Sequence, residues 1–390
     1  MENGYGMMSN QTMTADLIVV GGGIVGLSAA FEAARQGMKV VLLERQQFAG
    51  GTTCAAAGML APSAEAFIHP SLSLLAWDSL ELYQPWVEEL WELTGIDPEL
   101  RLRGVFVPEI EASSANSSRI SRREPDLTPI NLHKRWLDRS RLANLHIQVG
   151  KEVTGGAFYE NEGHISPIKL SEALLEGARR LGASCYEHEE VREFIVRDKR
   201  ISGVKTASKI FLAEHVLLCS GLENEHLARS IGLRMPHYAV KGELLVLRLQ
   251  TALESVVYGE GVYIVPKSQQ RVYIGATSFN HQYDHHVSAG SIVQLLEQAC
   301  RYLPELRTAA WEQAWAGLRP CTPDQRPYLG PVHELPGLWV ASGHYRNGIL
   351  LAPATASSMI DWIRTGSMPW SYLKDFGLER VNQYAIEMTQ

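Results

Sequence analysis

The stretch Asp16-Leu17-Ile18-Val19-Val20-Gly21-Gly22-Gly23-Ile24-Val25-Gly26 constrains this chain more than any other. Five mostly apolar residues predict a buried parallel strand, and the run from Leu27 to Gln36 predicts a helix. Between them, Gly21 suits a tight turn, Gly23 lets the backbone approach a pyrophosphate, and Gly26 lets helix and strand pack closely. The first helical turn, with Ile24 and Val25, offers free N–H groups and the positive end of a dipole to phosphate. After Gly37 a second strand, Val40-Val41-Leu42-Leu43, ends on Glu44, about 20 residues past the glycines. A carboxylate there can hold both hydroxyls of an adenosine ribose. Strand, glycines, helix, strand and acid together predict a dinucleotide-binding βαβ unit, and with it an α/β fold.

The next segment separates FAD from NAD. From Ala49 to Gly58 the chain reads Ala-Gly-Gly-Thr-Thr-Cys-Ala-Ala-Ala-Gly, with no large side chain. Small residues let the backbone, with Thr52 and Thr53, close over a pyrophosphate, and Ala57-Gly58-Met59 can pass beside a flat ring. A nicotinamide nucleotide has no need of such a segment, so FAD is the expected dinucleotide.

A length of 390 residues predicts two to three domains. The net charge of −7 without a basic run argues against a nucleic-acid or anionic-membrane partner. No apolar run reaches the ~18 residues of a membrane span. The polar, Met-rich first fifteen residues lack the regions of a signal peptide and predict a disordered tail on a cytoplasmic protein. Cys54, Cys185, Cys219, Cys300 and Cys321 are odd in number and form no CxxC, which predicts reduced thiols and no zinc site. His281, His285 and His286 fall in a polar loop without a further partner, so no metal is expected.

Apolar spacing predicts a helix over 75–93, with Trp86 and Trp91 in the core, then a strand over 101–108 and a surface excursion over 112–123. A helix over 168–181 leads to strands at 183–186, 191–196, 201–205 and 213–219, the last returning to the nucleotide-binding sheet at Ser220-Gly221. Residues 240–274 read as strand and turn, 291–302 as helix, 311–318 as strand and 349–363 as helix. The predicted architecture is a discontinuous Rossmann-type domain of residues 16–80, 150–222 and 323–375. Interleaved with it is an antiparallel-sheet substrate domain of residues 81–149 and 223–322.

Six blocks carry a resemblance: Thr52 to Leu60, Val240-Lys241-Gly242-Glu243, Tyr263-Ile264-Val265-Pro266, Ile274-Gly275-Ala276-Thr277, Trp315-Ala316-Gly317-Leu318-Arg319-Pro320, and Gly343-His344-Tyr345-Arg346-Asn347-Gly348-Ile349-Leu350-Leu351-Ala352-Pro353. Past residue 15 the chain resembles the FAD-dependent amine oxidoreductases of the D-amino acid oxidase type, and within them the glycine oxidase branch. The resemblance implies a substrate-domain sheet that roofs the flavin. It also implies oxidation of glycine, a small amino acid or an N-methyl amine to the imine, with O2 reduced to H2O2, in support of thiamine thiazole assembly. A homo-oligomer is expected, and the rival reading is a dehydrogenase passing electrons to a quinone or carrier.

Such chemistry needs position rather than a strong protein base, and no acid/base residue is expected. A planar guanidinium matches two carboxylate oxygens, and a buried arginine without an anionic partner is costly. Arg319, between Leu318 and Pro320, fits that role and corresponds to the family's carboxylate clamp. By resemblance Tyr263 is a second carboxylate contact, and Arg346 touches the flavin with its backbone while its side chain closes the pocket. The cofactor contacts implied are Gly21, Gly23, Ile24, Val25, Gly26, Glu44, Arg45, Thr52, Thr53, Ala57, Gly58, Met59, Val191, Gly221, His344, Tyr345, Arg346, Asn347, Gly348, Ile349 and Leu350. Two departures, Gly261 for a histidine and Ser278 for a methionine, remove bulk and widen the expected substrates to sarcosine or small D-amino acids. Covalent relatives attach FAD slightly upstream of Cys321, so non-covalent FAD is expected, with Cys321 a thiol in or behind the pocket wall.

Overall fold

The structure is a computed structural model that describes residues 11–65, 67, 69–110, 134–144 and 147–381. Its organising element is the strand Gln11–Val20, which pairs in parallel with Val40–Leu43 on one side and Lys209–Leu218 on the other. Ser184–Tyr186 and Leu338–Ser342 extend the parallel sheet outward, and Tyr328–Pro331 closes one edge antiparallel. The hairpin of Glu193–Arg197 and Arg200–Lys205 adds to the Lys209–Leu218 strand. Leu17, Ile18, Val19, Leu42 and Leu217 are fully buried, because helices or hairpin cover both faces of this sheet.

One face is covered by the helices Ile24–Arg35, Pro167–Arg180 and Gly348–Thr365, with Pro70–Thr94 packed against the latter two. Ser166 caps Pro167–Arg180 by accepting from Lys169 N–H, with a proline at the first helical position.

The second sheet is largely antiparallel. Its order runs Phe279–Asn280, Tyr238–Arg248, Arg271–Gly275, Val262–Pro266, Val256–Gly259, Val105–Ile110, Val153–Tyr159 and Lys134–Asp138, with Ala310–Cys321 along the free side of Tyr238–Arg248. The helix Ala289–Tyr302 packs on one face of it through Leu295, Ala299 and Tyr302.

Several expectations change. The first strand starts inside the expected tail of residues 1–15, because Gln11 to Ala15 already pair with Lys209 to Ala213; residues 1–10 lie outside the described residues. Val153–Tyr159 belongs to the second sheet and not to the first, since it pairs with Val105–Ile110 and Lys134–Asp138. The 81–94 part of the long helix packs in the core of the first sheet's helices, through Tyr83, Trp86, Val87 and Leu90. Asn224–Arg229 also packs on the first sheet, through Ala228. Trp91 is 59% exposed and not in the core. The expected surface excursion over 112–123 lies outside the described residues. No helix of the described residues is long and apolar enough to cross a membrane.

Candidate active site

A continuous cavity of about 1280 Å³ runs between the two sheets and is lined by both. Its nucleotide end is built by the glycines. Gly21 has a φ of +107°, and a Cβ there would lie 2.7 Å from the backbone of Cys219 and Ser220 on the neighbouring strand. A Cβ on Gly26 would lie 1.9 Å from the Gly21 carbonyl oxygen, so this glycine does not border the cavity and sets the approach of helix to strand. Gly23 is open, with Thr53 Oγ1 its nearest neighbour at 3.4 Å. Gly23 is also the helix N-cap and has no side chain to occupy the first-turn N–H groups.

Glu44 projects from the end of Val40–Leu43. One carboxylate oxygen accepts from Gly22 N–H at 2.7 Å and the other from Gln46 N–H at 2.8 Å. Each oxygen keeps a lone pair, so the fixed carboxylate can still receive two hydroxyls. Val191 and Gly221 border this end, as does Arg45, which is ion-paired with Glu223 at 3.2 Å. An open backbone cradle, an uncapped helix start and a fixed acid suit the pyrophosphate and ribose of FAD.

The small-residue segment occupies the middle, with Thr52 and Thr53 lining the cavity, and it also bridges the two sheets. Thr53 Oγ1 accepts from Ile24 N–H at 2.9 Å, which steadies the phosphate turn. Thr52, however, donates to Leu318 O at 2.5 Å, and Trp315 Nε1 donates to Ala55 O at 3.2 Å. A Cβ on Gly317 would lie 2.5 Å from Ala55 Cβ. Small side chains are therefore needed because the segment threads between the sheets. Gly58, with φ +74°, lies so close to Ile165 O that a Cβ would meet it at 2.2 Å, and Ala57, Gly58 and Met59 all line the cavity.

The other end of the cavity gathers residues far apart in sequence. Arg319 donates to Thr277 O at 3.1 Å, and its guanidinium lies flat over Gly242, whose missing side chain leaves the space. Tyr263 stands opposite Gly275 in the strand register, where a Cβ would meet its hydroxyl at 2.8 Å. Burial pushes the Tyr263 phenol up, against the pull of Arg319 and Arg346, so it remains a hydroxyl donor. Arg346 Nη2 reaches the Tyr258 hydroxyl at 3.4 Å, and its Nε lies 3.6 Å from Glu65 Oε2. The nearby Glu65 charge holds Arg346 firmly protonated. Burial raises the Glu65 carboxyl, with Arg346 and then Arg319 opposing.

Beside them the turn His344-Tyr345-Arg346 leads into the helix Gly348–Thr365. His344 Nε2 bonds Thr355 Oγ1 at 3.1 Å, and burial lowers its pKa to about 3, so the ring lining the cavity is neutral. Gly348, Ile349 and Tyr345 also line the cavity, whereas Asn347 and Leu350 do not: Asn347 is taken up in the turn before the helix and Leu350 in its core. Cys321 does not border the cavity either; it is fully buried beside Tyr238. Gly261 has φ +74° and is required by its turn, and a Cβ there would face the Gln298 amide at 3.3 Å. Gly261 and Ser278 both line the cavity. His285 borders it as well, with Nδ1 3.3 Å from Ala316 O, and His286 pairs with Asp284. Among the described residues no group of three His, Cys, Asp or Glu side chains could hold a metal ion.

Two residues of this end, Glu65 and Tyr258, escape a reading of the sequence. Tyr258 pairs across the hairpin with Tyr263, so two tyrosines flanking a glycine-rich turn were the available signal. Glu65 ends the four-residue helix Pro62–Glu65, where an acid follows the small-residue segment with no motif to mark it.

Comparison with known proteins agrees with this geometry. The family model described as "DAO: FAD dependent oxidoreductase" matches residues 16–362. A glycine oxidase of Geobacillus kaustophilus is 36% identical over 351 residues, covering 89% of this chain and 92% of that protein. A bifunctional protein ThiO/ThiG of Nostoc sp. (strain PCC 7120) is 33% identical over 356 residues, covering 90% of this chain but 53% of that protein. This chain thus spans about half the length of that relative. The crystal structure of the Geobacillus kaustophilus glycine oxidase superposes with a TM-score of 0.85 at 33% identity, over 94% of this chain and 98% of that one.

Proposed function

This chain belongs to the FAD dependent oxidoreductase family, and from that premise we propose that it oxidises glycine or a similarly small amino acid to the imine. FAD, when bound, supplies the acceptor for the two electrons and the Cα hydrogen. The imine is hydrolysed to the 2-oxo acid and ammonia, and O2 takes the electrons to become H2O2. The proposal extends to supplying thiamine thiazole assembly, supported by the bifunctional relative, and to FAD held without a covalent bond, supported by the buried position of Cys321.

The observation that carries the reading is Arg319. Its guanidinium lies in the cavity wall with a backbone carbonyl as its hydrogen-bonded acceptor, and among the described residues no salt bridge reaches it. A bidentate carboxylate satisfies that fork, and the Tyr263 hydroxyl can donate to the same group. Fixing the carboxylate fixes Cα, and hydride transfer depends on that approach. Arg346 stands over the same end with its charge engaged by Glu65. The neutral His344 and the start of Gly348–Thr365 bring a neutral wall and a positive dipole end to the same cavity. Glu44 and the Gly21-Gly22-Gly23 turn would hold the ribose and pyrophosphate.

The test is anaerobic addition of glycine to the purified yellow protein. The reading expects loss of the flavin absorbance, and then one H2O2 per turnover when O2 is admitted. Bleaching without peroxide, with turnover only on an artificial acceptor, would replace the oxidase by a dehydrogenase. No bleaching by glycine, sarcosine or small D-amino acids would refute the substrate class.

A further inference from the structure

The cavity wall contains five acidic side chains, and four of them, Glu44, Glu189, Glu190 and Glu223, stand with the nucleotide-end residues. The fifth, Glu65, stands among the arginines. It is held there from behind: Glu162, buried in the turn before Gly163–His164, accepts from Ser63 N–H at 2.6 Å and so seats the short helix that ends in Glu65. The Glu65 side chain is only 10% exposed, and its oxygen lies 3.6 Å from Arg346 Nε. Among the described residues no salt bridge reaches Arg319, and of the two arginines it is the one that acts less on the Glu65 carboxyl. The substrate end therefore holds two guanidinium groups and one carboxylate, with the carboxylate placed on one of the two.

We propose that Glu65 is a specificity-determining residue that limits this site to substrates with a single negative charge. Pairing with Glu65 occupies Arg346 and leaves Arg319 as the cation of this end without a salt bridge among the described residues. A monocarboxylate brought to Arg319 completes the charge balance of the end. A dicarboxylate brings a second anion, which must either lie beside Glu65 or displace it from Arg346. Both are unfavourable beside the nearly buried Glu65 carboxylate, because like charges repel there and a buried charge that loses its partner is costly. The site thus rejects the wrong ligand through a repulsive element as well as choosing the right one. This inference rests on the reading of Arg319 as a carboxylate clamp.

The experiment measures binding to the FAD-loaded protein by the shift each ligand causes in the flavin absorbance spectrum, with acetate as the monoanion and malonate as the dianion. Three proteins are compared: wild type, Glu65→Gln and Glu65→Asp, each matched for flavin content. Wild type is expected to prefer acetate. In Glu65→Gln the ratio of the two dissociation constants shifts about tenfold or more toward malonate, and Glu65→Asp, which restores the charge, returns most of the preference. An unchanged ratio in Glu65→Gln, or an equal loss of both ligands, overturns the proposal while leaving the carboxylate clamp intact. Wild-type protein that binds neither ligand overturns the clamp and this inference together.

Discussion

Gly242→Ala isolates the geometry of the Arg319 guanidinium from its charge. Gly242 lies on Tyr238–Arg248, paired opposite Gly317, and its φ is one that alanine adopts freely. A Cβ there would sit 2.2 Å from Arg319 Nη2, 2.4 Å from Cζ and 2.6 Å from Nη1. Ordinary contact begins near 3.4 Å, so the guanidinium must move by about 1.2 Å. All three contacts are at the far end of a flexible side chain, so the fold accommodates the methyl group and flavin content stays full. The carboxylate, however, follows its clamp. A displacement of about 1 Å at a positioning group costs on the order of 10²-fold in rate, equivalent to about 2.7 kcal/mol. We therefore expect kcat/KM for glycine to fall about 100-fold, against a loss of roughly 2–4 kcal/mol for Arg319→Ala. Steady-state kinetics on both single variants and the double variant close the cycle. In the Arg319→Ala background Gly242→Ala should cost almost nothing. Wild-type kinetics for Gly242→Ala, or a full additional loss in the double variant, would refute the reasoning.

Three further outcomes follow from the structure. Glu44→Gln removes the charge that fixes the turn and would accept the ribose hydroxyls, so the dissociation constant for FAD should rise about tenfold or more while the fold survives, as measured by titrating apoprotein. Acid precipitation should release the flavin into the supernatant, and yellow colour kept in the pellet would contradict non-covalent binding. Glu162 gives a pH signature: burial raises its carboxyl to about 8, far above the value in the unfolded chain. Its contribution is complete below about pH 4.5 and is lost as pH rises through 8, by up to ~1.4 kcal/mol per unit. Thermal melts of wild type should therefore fall relative to Glu162→Gln across that window; parallel curves would show that Glu162 does not titrate there.

How far the sequence reveals this site depends on how local the chemistry is. Phosphate turn, helix start and ribose acid lie between Gly21 and Glu44, and they are legible because βαβ geometry brings such neighbours together without help from the rest of the chain. Arg319, Tyr263 and Arg346 were named only through resemblance, since nothing in their own neighbourhoods places them at one end of one cavity. Their meeting depends on register: Tyr263 opposite Gly275, and Arg319 beside Gly242 across the Tyr238–Arg248 strand. Glu65 had neither locality nor motif. The helix Pro70–Thr94 is legible as a helix, but its apolar stripe says only that something covers it and not which helices do. Likewise Gln11 to Ala15 are too polar to read as a strand, yet backbone pairing with Lys209 to Ala213 continues past the apolar run because ladder bonds do not require burial.

The distribution of charge along the cavity gives these local readings a common cause. At the nucleotide end the acids are matched to donors: Glu44 to two backbone N–H groups, Glu223 to Arg45, and Glu189 to Lys209 at 2.8 Å. A neutral ribose can add hydroxyl donors there without disturbing any ion pair. At the substrate end the balance is left incomplete by one positive charge, on Arg319. A half-buried guanidinium without a salt bridge, in a wall that also carries half-buried tyrosines, gains a charge partner when a ligand carboxylate arrives. The imbalance therefore favours occupancy by an anion of matching charge. The pairing of Glu65 with Arg346 keeps that number at one, which is why the second arginine and its acid belong to the same argument as the first.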